Sequence, residues 1–189
     1  LAGFGFKISA VPFHLWTADV YEGSPVSVTA YLSVISKGAI LFVMASVLFT
    51  VFKPLAETWY NMLYVLAVLT MIIGNLFAIR QQNLKRFLAF SSIAQVGFIL
   101  IGMSGSSQEA TASVIYFVLI YVFSNLGAFG VIALVSAQTG KEAIDDYKGF
   151  YLSNPMLALV ITLSLFSLAG IPPTAGFFGK FFLLMAGAG

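Results

Sequence analysis

Val26-Ser-Val-Thr-Ala-Tyr-Leu-Ser-Val-Ile-Ser-Lys-Gly-Ala-Ile-Leu-Phe-Val-Met-Ala-Ser-Val-Leu-Phe-Thr-Val-Phe52 contains one charged side chain, Lys37, in a run longer than the about 20 residues a helix needs to cross a bilayer. Five further apolar stretches flank it, near residues 1-18, 59-79, 87-104, 111-137 and 155-186, with short polar or Pro/Gly-bearing loops between them. The pattern predicts an all-α, polytopic transmembrane bundle of about six helices. Composition agrees: of 189 residues, 60% are hydrophobic and 8% charged, against about a quarter charged in soluble domains. Nine Lys plus Arg and seven Asp plus Glu cannot supply the polar shell that a soluble chain of this size requires. The lipid bilayer is the expected surrounding.

The net charge of +2 is scattered, without the basic run that a nucleic-acid partner calls for. Zero cysteines remove disulfides, thiolate zinc and iron–sulfur ligation, and a single histidine argues against a metal centre held by this chain. The chain starts without methionine and stops inside an apolar run, so it reads as an internal piece of a longer protein.

Two of the apolar stretches are interrupted. Gly170-Ile-Pro-Pro173 breaks the last one, because Pro172 and Pro173 lack backbone donors, and Pro12 is expected to break the first. Irregular backbone at membrane depth is tolerated where protein packs against it or where it lines a wet cavity, which points towards a transport path; a merely structural kink is the alternative at each. Counted by alternate loops, Arg80, Lys85, Arg86, Lys141 and Lys148 fall on one side and only Lys53 on the other, which places the first group in the cytoplasm. The charged stretch from Thr139 to Lys148 reads as a short interfacial segment with a solvated face.

Three lysines lie where charge is costly. Lys37 is near the middle of its run, Lys180 follows the Pro172-Pro173 break among aromatic and aliphatic neighbours, and Lys7 precedes Pro12. Burial disfavours the charged form of an ammonium and can bring such a group into a range where it gains and loses protons, as a proton relay demands. His14, beside the first break, is a candidate link between them. Snorkelling to the interface, or a static pair with a carboxylate from elsewhere, is the competing reading of each lysine. Asn75, Ser91, Ser92, Gln95, Ser124 and Asn125 are read as groups that hold water or bridge helices.

Four strings carry a family resemblance: Val11-Pro-Phe-His-Leu-Trp-Thr-Ala-Asp-Val-Tyr-Glu-Gly-Ser-Pro25, Ser36-Lys-Gly-Ala39, Leu84-Lys-Arg-Phe-Leu-Ala-Phe-Ser-Ser-Ile-Ala-Gln-Val-Gly97 and Ser167-Leu-Ala-Gly-Ile-Pro-Pro-Thr-Ala-Gly-Phe-Phe-Gly-Lys180. Over almost the whole chain the sequence resembles the antiporter-like, proton-conducting subunits of respiratory complex I. A lysine at 37 together with a lysine rather than a glutamate at 180 favours one branch of that family over the others. The resemblance implies a fourteen-helix fold with two inverted repeats and broken helices, of which residues 1-189 form part of the transporter domain, roughly helices seven to twelve. It implies proton transfer at mid-membrane through Lys7, Lys37, His14 and Lys180, the basic loops in the cytoplasm, and an energy-coupling membrane such as the bacterial inner membrane.

It further implies that the chain holds no cofactor of its own. NADH, FMN, iron–sulfur clusters and quinone would belong to partner subunits, and the chain's contacts would be other membrane subunits of complex I, the lipid bilayer and protons. Two departures follow from the same resemblance. The carboxylate expected to partner Lys7 lies outside this sequence, and Gln95 stands where many relatives carry histidine. The rival expectations are a subunit of a multisubunit cation/proton antiporter or of a membrane-bound hydrogenase, and, in another class, a non-pumping structural membrane subunit. A quinone-binding site would need a concentrated polar pocket, for which no stretch argues.

Overall fold

The computed structural model describes residues 2–105 and 108–188, and these are helical apart from short connections, with a single isolated bridge between Asn83 and Ala143. α1 (Ala2–Ile8) and α2 (Leu15–Gly23) form a broken first element. α3 (Val26–Tyr31) passes through one π turn, Leu32–Ser36, directly into α4 (Lys37–Thr50). A short 3₁₀ turn, Lys53–Leu55, leads into α5 (Ala56–Ile79), followed by α6 (Leu84–Ser104) and α7 (Gln108–Thr139). After a 3₁₀ turn at Ile144–Tyr147 and the single-turn α8 (Phe150–Ser153), α9 (Pro155–Ala169) and α10 (Ala175–Ala188) form the second broken element. The molecule is an integral, multi-pass membrane protein: Val26–Thr50, Lys53–Ile79, Leu84–Ser104 and Ala110–Thr139 are each long and apolar enough to cross a bilayer.

The helix ends follow from local chemistry. The Asn83 side chain accepts from the backbone N–H groups of Lys85 and Arg86 at 2.9 and 3.1 Å, satisfying two of the donors a helix start leaves open. This cap starts α6 three residues earlier than the apolar run near 87, so Lys85 and Arg86 belong to its first turn and not to a loop; they remain at the same membrane end, and the charge count is unaffected. Pro155 opens α9, where a missing N–H costs nothing.

α6 is the central helix: 78% of its apolar window is buried, against 28–44% for the other three spanning helices. Its longest contact is with α5, where Gly74 lets the two backbones approach; a Cβ there would stand 2.7 Å from the Ala94 nitrogen. The outer sides of the bundle expose Phe123, Leu76, Met185 and similar side chains, which is the reverse of soluble packing.

Candidate proton-relay site

Lys37 is 2% exposed and heads α4 directly after the π turn. Its Nζ donates to Ser92 Oγ at 2.8 Å, and Ser92 in turn donates to the Ala89 carbonyl at 2.7 Å. The ammonium lies 5.5 Å from the centroid of the fully buried Tyr21 ring, within cation–π range. The Tyr21 hydroxyl stands beside Ser92. Around the π turn the Lys37 N–H bonds to the Val34 carbonyl, and the Ser33 carbonyl accepts from the Tyr121 hydroxyl at 2.9 Å. Such bulges are frequent at functional sites. A buried ammonium surrounded by hydroxyls, each able to donate or accept, is a site through which a proton can be handed on.

Lys180 has different surroundings. Gly170, at φ +79, ends α9 in the left-handed region, and its N–H bonds back to Phe166 and Ser167. In a continuing helix the Leu168 and Ala169 carbonyls would accept from the N–H groups of residues 172 and 173, four places on. Both are proline and have none. Lys180 takes up the two carbonyls instead, its Nζ donating to Leu168 O at 2.6 Å and Ala169 O at 3.2 Å while lying 4.6 Å from the Phe98 ring centroid. The Leu168 carbonyl also accepts from Gln95 Nε2 at 2.8 Å. A side chain at 170 would be strained by its φ and would meet Lys180 Cδ at 2.9 Å, so glycine there both breaks the helix and admits the lysine stem. Beside this cradle a cavity of about 510 Å³ is lined by Asn75, Ser91, Gln95, Phe98 and Lys180.

The other sequence-singled residues are placed apart. His14 is buried at the start of α2, and its Nδ1 makes no hydrogen bond. The Val11–Pro12 break is closed by neutral groups: Val11 N–H donates to Thr70 Oγ1 at 3.1 Å, and Thr17 Oγ1 donates to Ser9 Oγ at 2.7 Å. Lys7 is exposed in the last turn of α1 and joins neither lysine cluster.

Among the described residues no carboxylate pairs with Lys37 or Lys180. The buried lysine that has one is Lys85, at 2.9 Å from Glu142, and Arg86 bridges Asp19 and Glu22 at 2.7 Å each. Thus the stretch from Thr139 to Lys148, read from sequence as a solvated face, turns one of its acids inward, while Lys148 and Asp145 remain exposed as a surface pair. Nearby, burial together with Glu142 and Asp146 pushes the Tyr147 phenol up to about 12, leaving it neutral at physiological pH.

The reading of the sequence missed Tyr21, Tyr121 and the π turn, for which no periodicity gives a signal. It counted Ser92 and Gln95 only among general polar groups. The pairing of Pro172 and Pro173 with the 168 and 169 carbonyls was there to be counted.

Comparison with known proteins gives a consistent picture. The family model for the NADH:quinone oxidoreductase/Mrp antiporter transmembrane region matches residues 1–189. The NADH-quinone oxidoreductase subunit N of Azobacteroides pseudotrichonymphae is 58% identical over 98% of this chain and 39% of its own length; that of Phocaeicola vulgatus is 53% identical over the same shares. The chain therefore spans about two fifths of these relatives. Among solved structures, respiratory complex I from Thermus thermophilus with bound aureothin matches at 31% identity and TM-score 0.80, covering 98% of this chain and 40% of the other. The Mrp complex from Dietzia sp. matches at 25% identity and TM-score 0.90, covering 98% and 34%.

Proposed function

The chain belongs to the NADH:quinone oxidoreductase/Mrp antiporter transmembrane family, and on that premise we propose that it translocates protons as part of subunit N of an NADH-quinone oxidoreductase. Residues 1–189 would be helices seven to twelve of the parent subunit, lying in an energy-coupling membrane among other membrane subunits of complex I. NADH, FMN, iron–sulfur clusters and quinone are held by partner subunits in this reading, and this chain performs no redox step. Its share of the enzyme's work is to bind, hold and pass protons between Lys37 and Lys180.

The observation that carries the reading is the state of Lys37: fully buried, bonded to a serine hydroxyl, and without a carboxylate partner among the described residues. A static buried charge is normally compensated by an opposite one, as Lys85 is by Glu142. A lysine bonded to a neutral hydroxyl remains tolerable in either protonation state, which suits a group that must release its proton. Lys180, on two carbonyls, has the same property. His14, buried with an unbonded Nδ1, is a further relay group in this reading, and Lys7 would meet its partner on a helix beyond this sequence.

The rival within the family is a multisubunit cation/proton antiporter, favoured by the TM-score of 0.90 to the Mrp complex. Identity weighs the other way, at 58% to a relative named subunit N against 25% to that structure. The test is proton pumping by vesicles that contain the assembled complex with the full-length parent subunit, comparing Lys37 with Lys37→Met, which removes the charge and keeps the stem. Pumping is expected to fall about 100-fold, in the range a positioned proton-transfer group contributes, with the complex still assembled. Unchanged pumping in the assembled variant would return Lys37 to a structural role.

A further inference from the structure

We propose that Gln95 is a positioning residue of the Lys180 site: it holds the Leu168 carbonyl as an acceptor that it shares with the lysine, and so sets how readily Lys180 exchanges its proton. This rests on the proton-relay reading above and adds to it a residue with no charge of its own.

Gln95 lies on α6 three residues after Ser92, so the partner of Lys37 and the partner of the Lys180 cradle share one face of the central helix. It is 4% exposed. Its Nε2 donates at 2.8 Å to the oxygen that receives Lys180 Nζ at 2.6 Å. A carbonyl oxygen has two lone pairs and accommodates both donors. The amide orientation is fixed by this contact, since the flipped rotamer would set two oxygens against each other. Oε1 accepts from no protein donor among the described residues and belongs to a side chain that lines the cavity beside Lys180.

The arrangement has a mechanical consequence. The Pro172-Pro173 pair leaves the Leu168 carbonyl without its helical donor, and Gln95 supplies one that does not depend on the protonation state of Lys180. Gln95 keeps the carbonyl aimed at Nζ in both states. Because both donors present positive ends to one oxygen, each also weakens the other's bond, so Gln95 makes the ammonium easier to discharge. Of the residues lining the adjoining cavity, drawn from α5, α6, α9 and α10, Lys180 is the titratable one among those described. α7, packed on α10, brings Tyr116 against the Phe182 ring, and Lys85 and Arg86 of α6 are engaged at the helix start.

The experiment measures the pH profile of NADH-driven proton pumping in proteoliposomes holding the assembled complex, with Gln95→Leu and Gln95→His in the full-length subunit. Leucine removes the shared donor, and the high-pH limb of pumping is expected to move up by about 0.5–1 pH unit, the equivalent of one hydrogen bond. Histidine supplies an N–H donor from the same position and should return the limb towards the parent profile. Uncoupled electron transfer should be unaltered in both. A profile that stays in place in Gln95→Leu would overturn the proposal, as would a histidine variant displaced as far as leucine. If the leucine variant does not assemble, Gln95→Asn, whose amide is too short to reach Leu168, must give the shift or the proposal falls. Loss of pumping in Lys37→Met with an unmoved Gln95→Leu profile would refute this inference alone; unimpaired pumping in Lys37→Met would refute the relay beneath it.

Discussion

Lys37 and Lys180 both lie over an aromatic ring at a place where α-helical bonding is interrupted, yet they are held in opposite ways. Lys37 bonds to a side-chain hydroxyl, Ser92 Oγ, while the Ser33 carbonyl in the adjoining π turn accepts from Tyr121 and not from the lysine. Lys180 bonds to main-chain carbonyls alone, released by two consecutive prolines. A hydroxyl can rotate and can give as well as take a proton, whereas a carbonyl only accepts. In the proposed relay Lys37 therefore has a neighbour able to hand a proton onward, and Lys180 has a fixed resting place from which its proton would leave by another route, towards the cavity beside it. The two also differ in how they can be damaged: one substitution removes the acceptor of Lys37, while none removes a carbonyl.

Ser92→Ala is the sharpest test of that difference. It leaves a fully buried ammonium without its acceptor, a loss of about 1.5–3 kcal/mol for a hydrogen bond to a charged group. Pumping per assembled complex should drop about tenfold or more, measured as vesicle acidification normalised to complex content. If Ser92→Ala pumps normally, the hydroxyl is dispensable and the contrast with Lys180 collapses. A smaller effect is expected at the other site from the double change Pro172→Ala and Pro173→Ala. It returns two N–H donors that can extend helical bonding past Gly170, where they compete with Lys180 for the Leu168 and Ala169 carbonyls. Pumping should fall about threefold, the worth of a partly displaced hydrogen bond. An unaltered rate would mean that the carbonyls do not hold the working form of Lys180.

The contrast was only half legible in the sequence. Bilayer-length runs, Pro12, the Gly170–Pro173 break and the misplaced lysines follow from spacing and composition, because the membrane imposes a length and a polarity that each residue reports locally. The break at Lys180 was legible for the same reason, since glycine and proline act on their own backbone. The surroundings of Lys37 were not. Its π turn has no composition that marks it, and Ser92 and Tyr121 reach it from helices far along the chain. The start of α6 moved by three residues because a single cap, Asn83, outweighed the apolar pattern. Which polar side chain meets which lysine is a property of packing, and a single sequence lists the candidates without pairing them.

Lys85 supplies the control for both sites. It is as hidden as a relay lysine, with a side chain 6% exposed, but it pairs with Glu142 at 2.9 Å and also donates to the Ser24 carbonyl at 3.3 Å. The pair joins the start of α6 to the loop after α7, where Leu84 N–H bonds to the Glu142 carbonyl and Ile144 N–H to that of Gln82. A carboxylate at this distance compensates the lysine's charge, so Lys85 should fasten the bundle and take no part in transfer. Glu142→Gln removes the negative charge and keeps an acceptor, and because Glu142 is a quarter exposed the expected cost is about 1–2 kcal/mol of stability, below that of a fully buried pair. Thermal denaturation of the assembled complex should register that loss, and pumping per surviving complex should not change. If pumping fell with the complex intact, burial alone would recruit a lysine into the relay, and the presence or absence of a carboxylate partner would no longer separate the working lysines from the structural one.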